Sequence, residues 1–391
     1  MSDRYSTDRR QFLKLITLGS ISGAVGLPIT TACSQRKFLN PDENIYLSGG
    51  SYDNQGTRAF ALIAINTEQR KEHVIPCDFL PHEIIIHPED NYTVFCFEKD
   101  GANACTIDLN SERVINSFQA ADNHHFSGHA VFDGNGRLFT IEIEQQTKQG
   151  KISIRDASTF DIFKQLPTLG LSPHDCQLTE STLAVSNTGQ DATGFHQPSL
   201  VFIDIASEKL LSRLKLDDDE LNAGHFDTTY DNKLVIASAP VDQSASEAVG
   251  GVSIQSNEHS VITMTSPEDL IGRLKGEALG ISVSPEHGIA AITHPDANLL
   301  TFWSLKDAPG DASFIKAIEM DNPRGVIQAL DGNSFVISYG RNPAMVNIEI
   351  SGLAGQAETI MSPTSATGEH LLNWSARLIS QPARDITVTT L

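Results

Sequence analysis

A unit of about 47 residues recurs along this chain, and few folds accept a repeat of that length. Its marker is a histidine at a turn just ahead of an apolar strand. His82, His129, His174 and His225 hold this place, spaced 47, 45 and 51 residues apart, and Leu279 and Arg324 continue the series. A second strand follows each marker across a polar turn, as in PHEIIIHPEDNYTVFCFEK from Pro81 and GHAVFDGNGRLFTIEIE from Gly128. A third and a fourth come next, as in CTIDLNSE from Cys105 and RVINSFQA from Arg113. Val, Ile, Phe and Thr fill these runs, and Asp, Asn, Gly and Ser punctuate them. Four strands per repeat at this period describe a propeller blade. Ankyrin, leucine-rich and tetratricopeptide repeats are shorter.

Six full units leave two remnants. Residues 44–76 supply three strands, and residues 371–380 (LLNWSARLIS) supply one. Together they make a seventh blade that closes the ring, and closure removes the exposed strand edges an open ring would carry. The fold expected is therefore all-β: one seven-bladed β-propeller over 44–380, with a linker at 33–43 and a tail at 381–391.

The first 32 residues read as an address. Arg9 and Arg10, followed by Gln11-Phe12-Leu13-Lys14, resemble a twin-arginine export motif. The apolar stretch from Leu15 to Pro28 is broken by Gly19, Gly23 and Gly26, which suits a signal segment rather than a membrane helix. Cys33 directly after Ala32 is a candidate lipid acceptor, although Thr30 stands where such sites usually carry Leu. The expected location is the periplasm, with a lipid on Cys33 as the sole membrane link. The whole chain carries a formal charge of −21. That excludes non-specific nucleic-acid binding, which needs a basic footprint, and disfavours adsorption to anionic lipid.

In a propeller the first strand of each blade lines the central channel, so His82, His129, His174 and His225 converge there. Two readings stand. Four imidazoles, with Arg324 and Arg377 at the same rim, bind a transition metal such as iron or copper, a metal complex, or an anion. Alternatively, each histidine bonds the neighbouring blade and serves the fold. His125 sits nearby in a His-rich loop and joins the candidates. Glu83 and Asp175 follow ring histidines directly, and strand alternation lets them orient imidazoles only across blades. Glu142 and Glu144 share a face: buried, they would handle protons, and exposed, they serve solubility. Cys96 and Cys105 flank a hairpin whose turn reads Asp100-Gly101, which sets them face to face as a disulfide candidate. Cys77 and Cys176 then lack partners, and Cys176 lies two residues from His174. No C-x-x-C-H, C-x-x-C, P-loop, G-x-S-x-G or H-E-x-x-H sequence is present. This argues against covalent haem and standard nucleophile elbows.

The run His124-His125-Phe126-Ser127-Gly128-His129, with Phe132, Gly136 and Arg137, resembles the exported bacterial family known as domain of unknown function 1513 (DUF1513). Glu142, GKISIRD from Gly150, Pro173-His174, Pro198-Ser199-Leu200 and Asp204 fit the same pattern. The resemblance spans roughly residues 44–380. It implies a propeller of the quinoprotein and lactonase type, frequent twin-arginine export, and a setting linked to iron-uptake and peroxidase-like proteins. Where the family tends to carry Trp-Asp-Asn-His, this chain has Trp374-Ser375-Ala376-Arg377. Three functions remain open: a metal- or small-molecule-binding propeller, a metal-dependent oxidoreductase or lactonase-like enzyme, and a protein-interaction scaffold.

Overall fold

The computed structural model describes residues 38–375, apart from 231–232, 243–246, 258–259, 311–312, 354–356 and the side chain of residue 369. Arg9, Arg10, Cys33 and Arg377 therefore lie outside the described residues. The strands form seven four-stranded antiparallel sheets. Blade 1 joins Ile45–Asn54, Thr57–Asn66 and Lys71–Cys77 to the C-terminal strand Ala366–Asn373. Blades 2 to 7 follow in chain order over residues 81–119, 124–171, 173–214, 226–263, 281–319 and 323–361. This is the seven-bladed propeller the repeat requires.

The closing strand lies earlier than the expected 371–380, at Ala366–Asn373. Trp374 and Ser375 lock the ring instead of extending the strand. The fully buried Trp374 donates from Nε1 to the Asn91 carbonyl at 2.6 Å, in blade 2. Ser375 Oγ accepts the Ile45 N–H at 3.0 Å and donates to the Glu43 carbonyl at 2.5 Å. The chain ends are thus tied by side chains as well as by the β ladder.

The core lies between blades. Phe139, Ile141, Ile152 and Ile154 of blade 3 pack on Leu183, Val185, Val201 and Ile203 of blade 4. Such middle strands are buried on both faces, which is why they read as continuous apolar runs. Each fully buried Leu, Ile or Phe contributes about 1.5–3 kcal/mol, so the seams carry most of the stability.

Carboxylates stitch the inner strands together. Glu83 accepts the Ala130 N–H at 3.0 Å, Asp175 the Phe226 N–H at 3.3 Å, and Asp227 the Val283 N–H at 2.7 Å. Each bond runs from one blade to the next. The hairpin tip at Asp100 also differs from the expected two-residue turn. It is a loop over 99–102 in which Asp100 takes φ +55°. Its backbone pairs with Phe126 of blade 3: the Asp100 N–H donates at 3.0 Å and the Gly101 carbonyl accepts at 2.8 Å. That docking, not the hairpin alone, sets the loop's shape.

Candidate metal centre

Three of the markers sit where the inner ladder breaks, and His225 stands just ahead of its strand, Phe226–Thr228. Pairing with the second strand shifts between Pro81 and Glu83, between Phe126 and Ala130, and between Pro173 and Cys176. His82, His129 and His174 occupy these breaks. The same happens in blade 1, where pairing shifts between Ser48 and Gly50 opposite residues 366–371. His370 occupies that break. An irregularity of this kind re-aims a side chain that a regular strand would hold in its seam. Here it turns the imidazoles into the channel. Gly128 makes room in blade 3: its φ is +108°, and a Cβ there would lie 2.4 Å from His82 Cδ2.

His82, His129, His225 and His370 each present one ring nitrogen, and these four atoms lie within 4.8 Å of one another. His82 Nε2 stands 3.2 Å from His129 Nε2 and 3.2 Å from His370 Nε2. Four nitrogens at ~2.05 Å from a tetrahedral ion would be ~3.3 Å apart; the two His82 contacts match this, and the other pairs lie within 4.8 Å. His174 joins from one side, with Nε2 3.0 Å from His225 Nε2, outside the group of four.

Carboxylates reach the outer nitrogens across blades, as strand alternation requires. Glu83 Oε2 lies 3.0 Å from His129 Nδ1, and Asp175 lies 3.5 Å from both His129 Nδ1 and His225 Nδ1. The contact to His129 is close but poorly angled for a hydrogen bond, so it acts as a charge contact. A carboxylate beside Nδ1 favours the proton on that nitrogen and turns Nε2 toward the cluster. Burial, then the neighbouring His370 and His129, push the His82 pKa well below the ordinary histidine value. Burial and His225 do the same to His174. For His129, burial works against the charge, but Glu83 and Asp175 outweigh it and raise the pKa.

The other candidates are placed as follows. Arg324 holds the equivalent position in blade 7, and it lines neither of the two cavities flanking the histidines. His125 lies 3.9 Å from Asp100 Oδ1 beside a smaller cavity with Lys99 and Lys148, apart from the cluster. Glu142 is fully buried and ion-paired with Arg155 at 2.6 Å, with Thr140 and Ala121 as further donors. Glu144 instead caps Thr147 at the surface, so the two glutamates form no proton-handling pair. Cys96 faces Cys105 in the expected register, and Cys105 also meets the Cys77 thiol. All four described cysteines are free thiols.

His370 was missed by the sequence reading, which began the last strand at Leu371. The signal was present: His370 lies 46 residues beyond Arg324, one period on, with Gly368 just ahead. The place expected for a rim residue at Arg377 is thus filled seven residues earlier, by a histidine.

A family model described as "Protein of unknown function (DUF1513)" matches residues 80–372. No curated protein matches the chain. Among solved structures, the Kuenenia stuttgartiensis hydrazine synthase is similar at 12% identity and a TM-score of 0.60, covering 74% of this chain and 90% of that one. The dihydro-heme d1 dehydrogenase NirN in complex with DHE is similar at 12% identity and a TM-score of 0.55, covering 88% of this chain and 78% of that one. At such identity the likeness is one of fold.

Proposed function

The chain belongs to the DUF1513 family of proteins of unknown function, and we propose that it is an exported propeller that holds one transition-metal ion on His82, His129, His225 and His370. The observation that carries this reading is the convergence of four ring nitrogens within 4.8 Å from four different blades. The Nε2 atoms face one another across blades, at 3.2 Å from His82 to both His129 and His370, a gathering that a shared cation suits.

An all-imidazole set suits iron, copper, zinc or nickel. The family resemblance favours iron, and twin-arginine export to the periplasm would let the protein fold and load its ion before crossing the membrane. The two similar structures carry heme-related names, but a macrocycle is the poorer fit here. The cavity beside His129, His225 and His370 measures about 240 Å³, below the ~300 Å³ at which pockets for drug-sized ligands begin. A bare ion with small ligands suits this space.

The test is metal analysis of the mature protein exported through its own leader, beside a His82→Ala/His370→Ala double variant. The reading expects near one ion per wild-type chain and almost none in the variant. Equal metal in both, or none in either after loading with ferrous, cupric or zinc ions, rejects it.

A further inference from the structure

We infer that the histidine centre keeps one coordination position open toward a chamber shaped for a small neutral oxygen donor, of the size of water or hydrogen peroxide. This rests on the metal reading above and adds what the ion would bind. His129, His225 and His370 line a chamber of about 240 Å³, and His82 does not. Three ligands that share a space, with the fourth behind them, cap an ion from one side and leave the chamber side without a protein ligand.

The remaining walls select the occupant. Glu83, Asp175 and Asp227 line the same chamber. Each is fixed by backbone N–H groups, Glu83 by Ala130, Asp175 by Cys176 and Phe226, and Asp227 by Thr228 and Val283. Three fixed carboxylates repel an anion and accept hydrogen bonds from a hydroxylic molecule. Gln177 also lines it, its Nε2 committed to the Phe226 carbonyl at 2.7 Å, while Ile281, Val326 and Leu371 supply apolar wall. The volume holds about eight molecules of water size, each needing ~30 Å³. Cys176 also borders the chamber, but burial, followed by Glu83 and Asp175, pushes its thiol pKa well up.

Nitric oxide, a neutral diatomic, probes the open position directly. The mature chain is loaded with ferrous ion, its iron content measured, and nitric oxide titrated while electron paramagnetic resonance follows the half-integer-spin ferrous nitrosyl. The expected result is a nitrosyl signal that saturates at the iron content. An Ile281→Phe variant, which fills the chamber without touching a ligand, should keep its iron and lose nitrosyl affinity by about an order of magnitude. Bound iron without a nitrosyl, or a variant with wild-type nitrosyl affinity, overturns the open position alone. Absence of bound iron overturns the metal reading and this inference together.

Discussion

His82 and His370 meet Nε2 to Nε2 at 3.2 Å although 288 residues separate them. The contact exists only because the C-terminal strand completes blade 1 beside blade 2. Ring closure and assembly of the histidine cluster are therefore one event: a chain that has not closed lacks its fourth imidazole.

Substitution should separate ligands from neighbours. His82→Ala and His370→Ala each remove a nitrogen from the set of four and should abolish stoichiometric binding. His174→Ala removes a ring that lies outside the set of four, with its Nε2 3.0 Å from that of His225, and should leave one ion per chain. Calorimetric titration of the refolded apo-protein with metal checks both arms.

The carboxylates should matter without touching the ion. Glu83→Gln and Asp175→Asn should weaken metal affinity about 10–100-fold, the usual cost of losing an orienting partner. Asp175→Asn should cost more, because Asp175 faces both His129 and His225. Asparagine has a single acceptor oxygen, so it keeps only one of the N–H bonds from Cys176 and Phe226, and thermal unfolding should shift down by about 1–3 kcal/mol as well.

Gly128→Ala attacks the site through the backbone. Its φ of +108° strains any residue with a Cβ, and that Cβ would lie 2.4 Å from the His82 ring. The strain costs about 1–3 kcal/mol. Urea unfolding should show the loss in midpoint, and metal content should drop with it.

Closure can be tested by Trp374→Ala. The indole is fully buried and bonds to Asn91. Emptying such a site costs about 3–5 kcal/mol. The same unfolding measurement should show that loss.

Acid sensitivity should have a contribution from Asp133. Burial of its carboxylate raises the pKa, but the Arg137 N–H at 2.8 Å and guanidinium at 2.6 Å outweigh this and lower it. A carboxyl whose folded pKa lies below its unfolded value near ~3.9 stabilises the fold above that unfolded value. The contribution disappears as pH falls through the folded pKa. Asp133→Asn should therefore lower stability at neutral pH and flatten the acid limb of a stability–pH curve.

The blades were legible because their period is a chain property. Buried middle strands such as FALIAIN and TLAVSN declare themselves by composition, and the histidine markers by spacing. The closing strand was legible as a need but misplaced. LLNWSARLIS looks like a strand, yet Trp374 and Ser375 act as side-chain locks on Asn91, Ile45 and Glu43. That misplacement hid His370. The carboxylate contacts were foreseen as cross-blade in kind, because alternation forbids them within a blade. Which histidines they reach depends on the ladder breaks, and no local pattern reports those. Glu142 was ambiguous for a related reason. Its partner Arg155 is 13 residues away on the adjacent strand, and only the sheet register brings the two together.

Anomalous diffraction from crystals of the metal-loaded protein tests the central claim most directly. The account predicts one strong peak per chain, within bonding distance of the Nε2 atoms of His82, His129, His225 and His370, with residual density on the chamber side. A peak held by other residues, or an empty cluster in crystals soaked with ferrous, cupric and zinc ions, would contradict it.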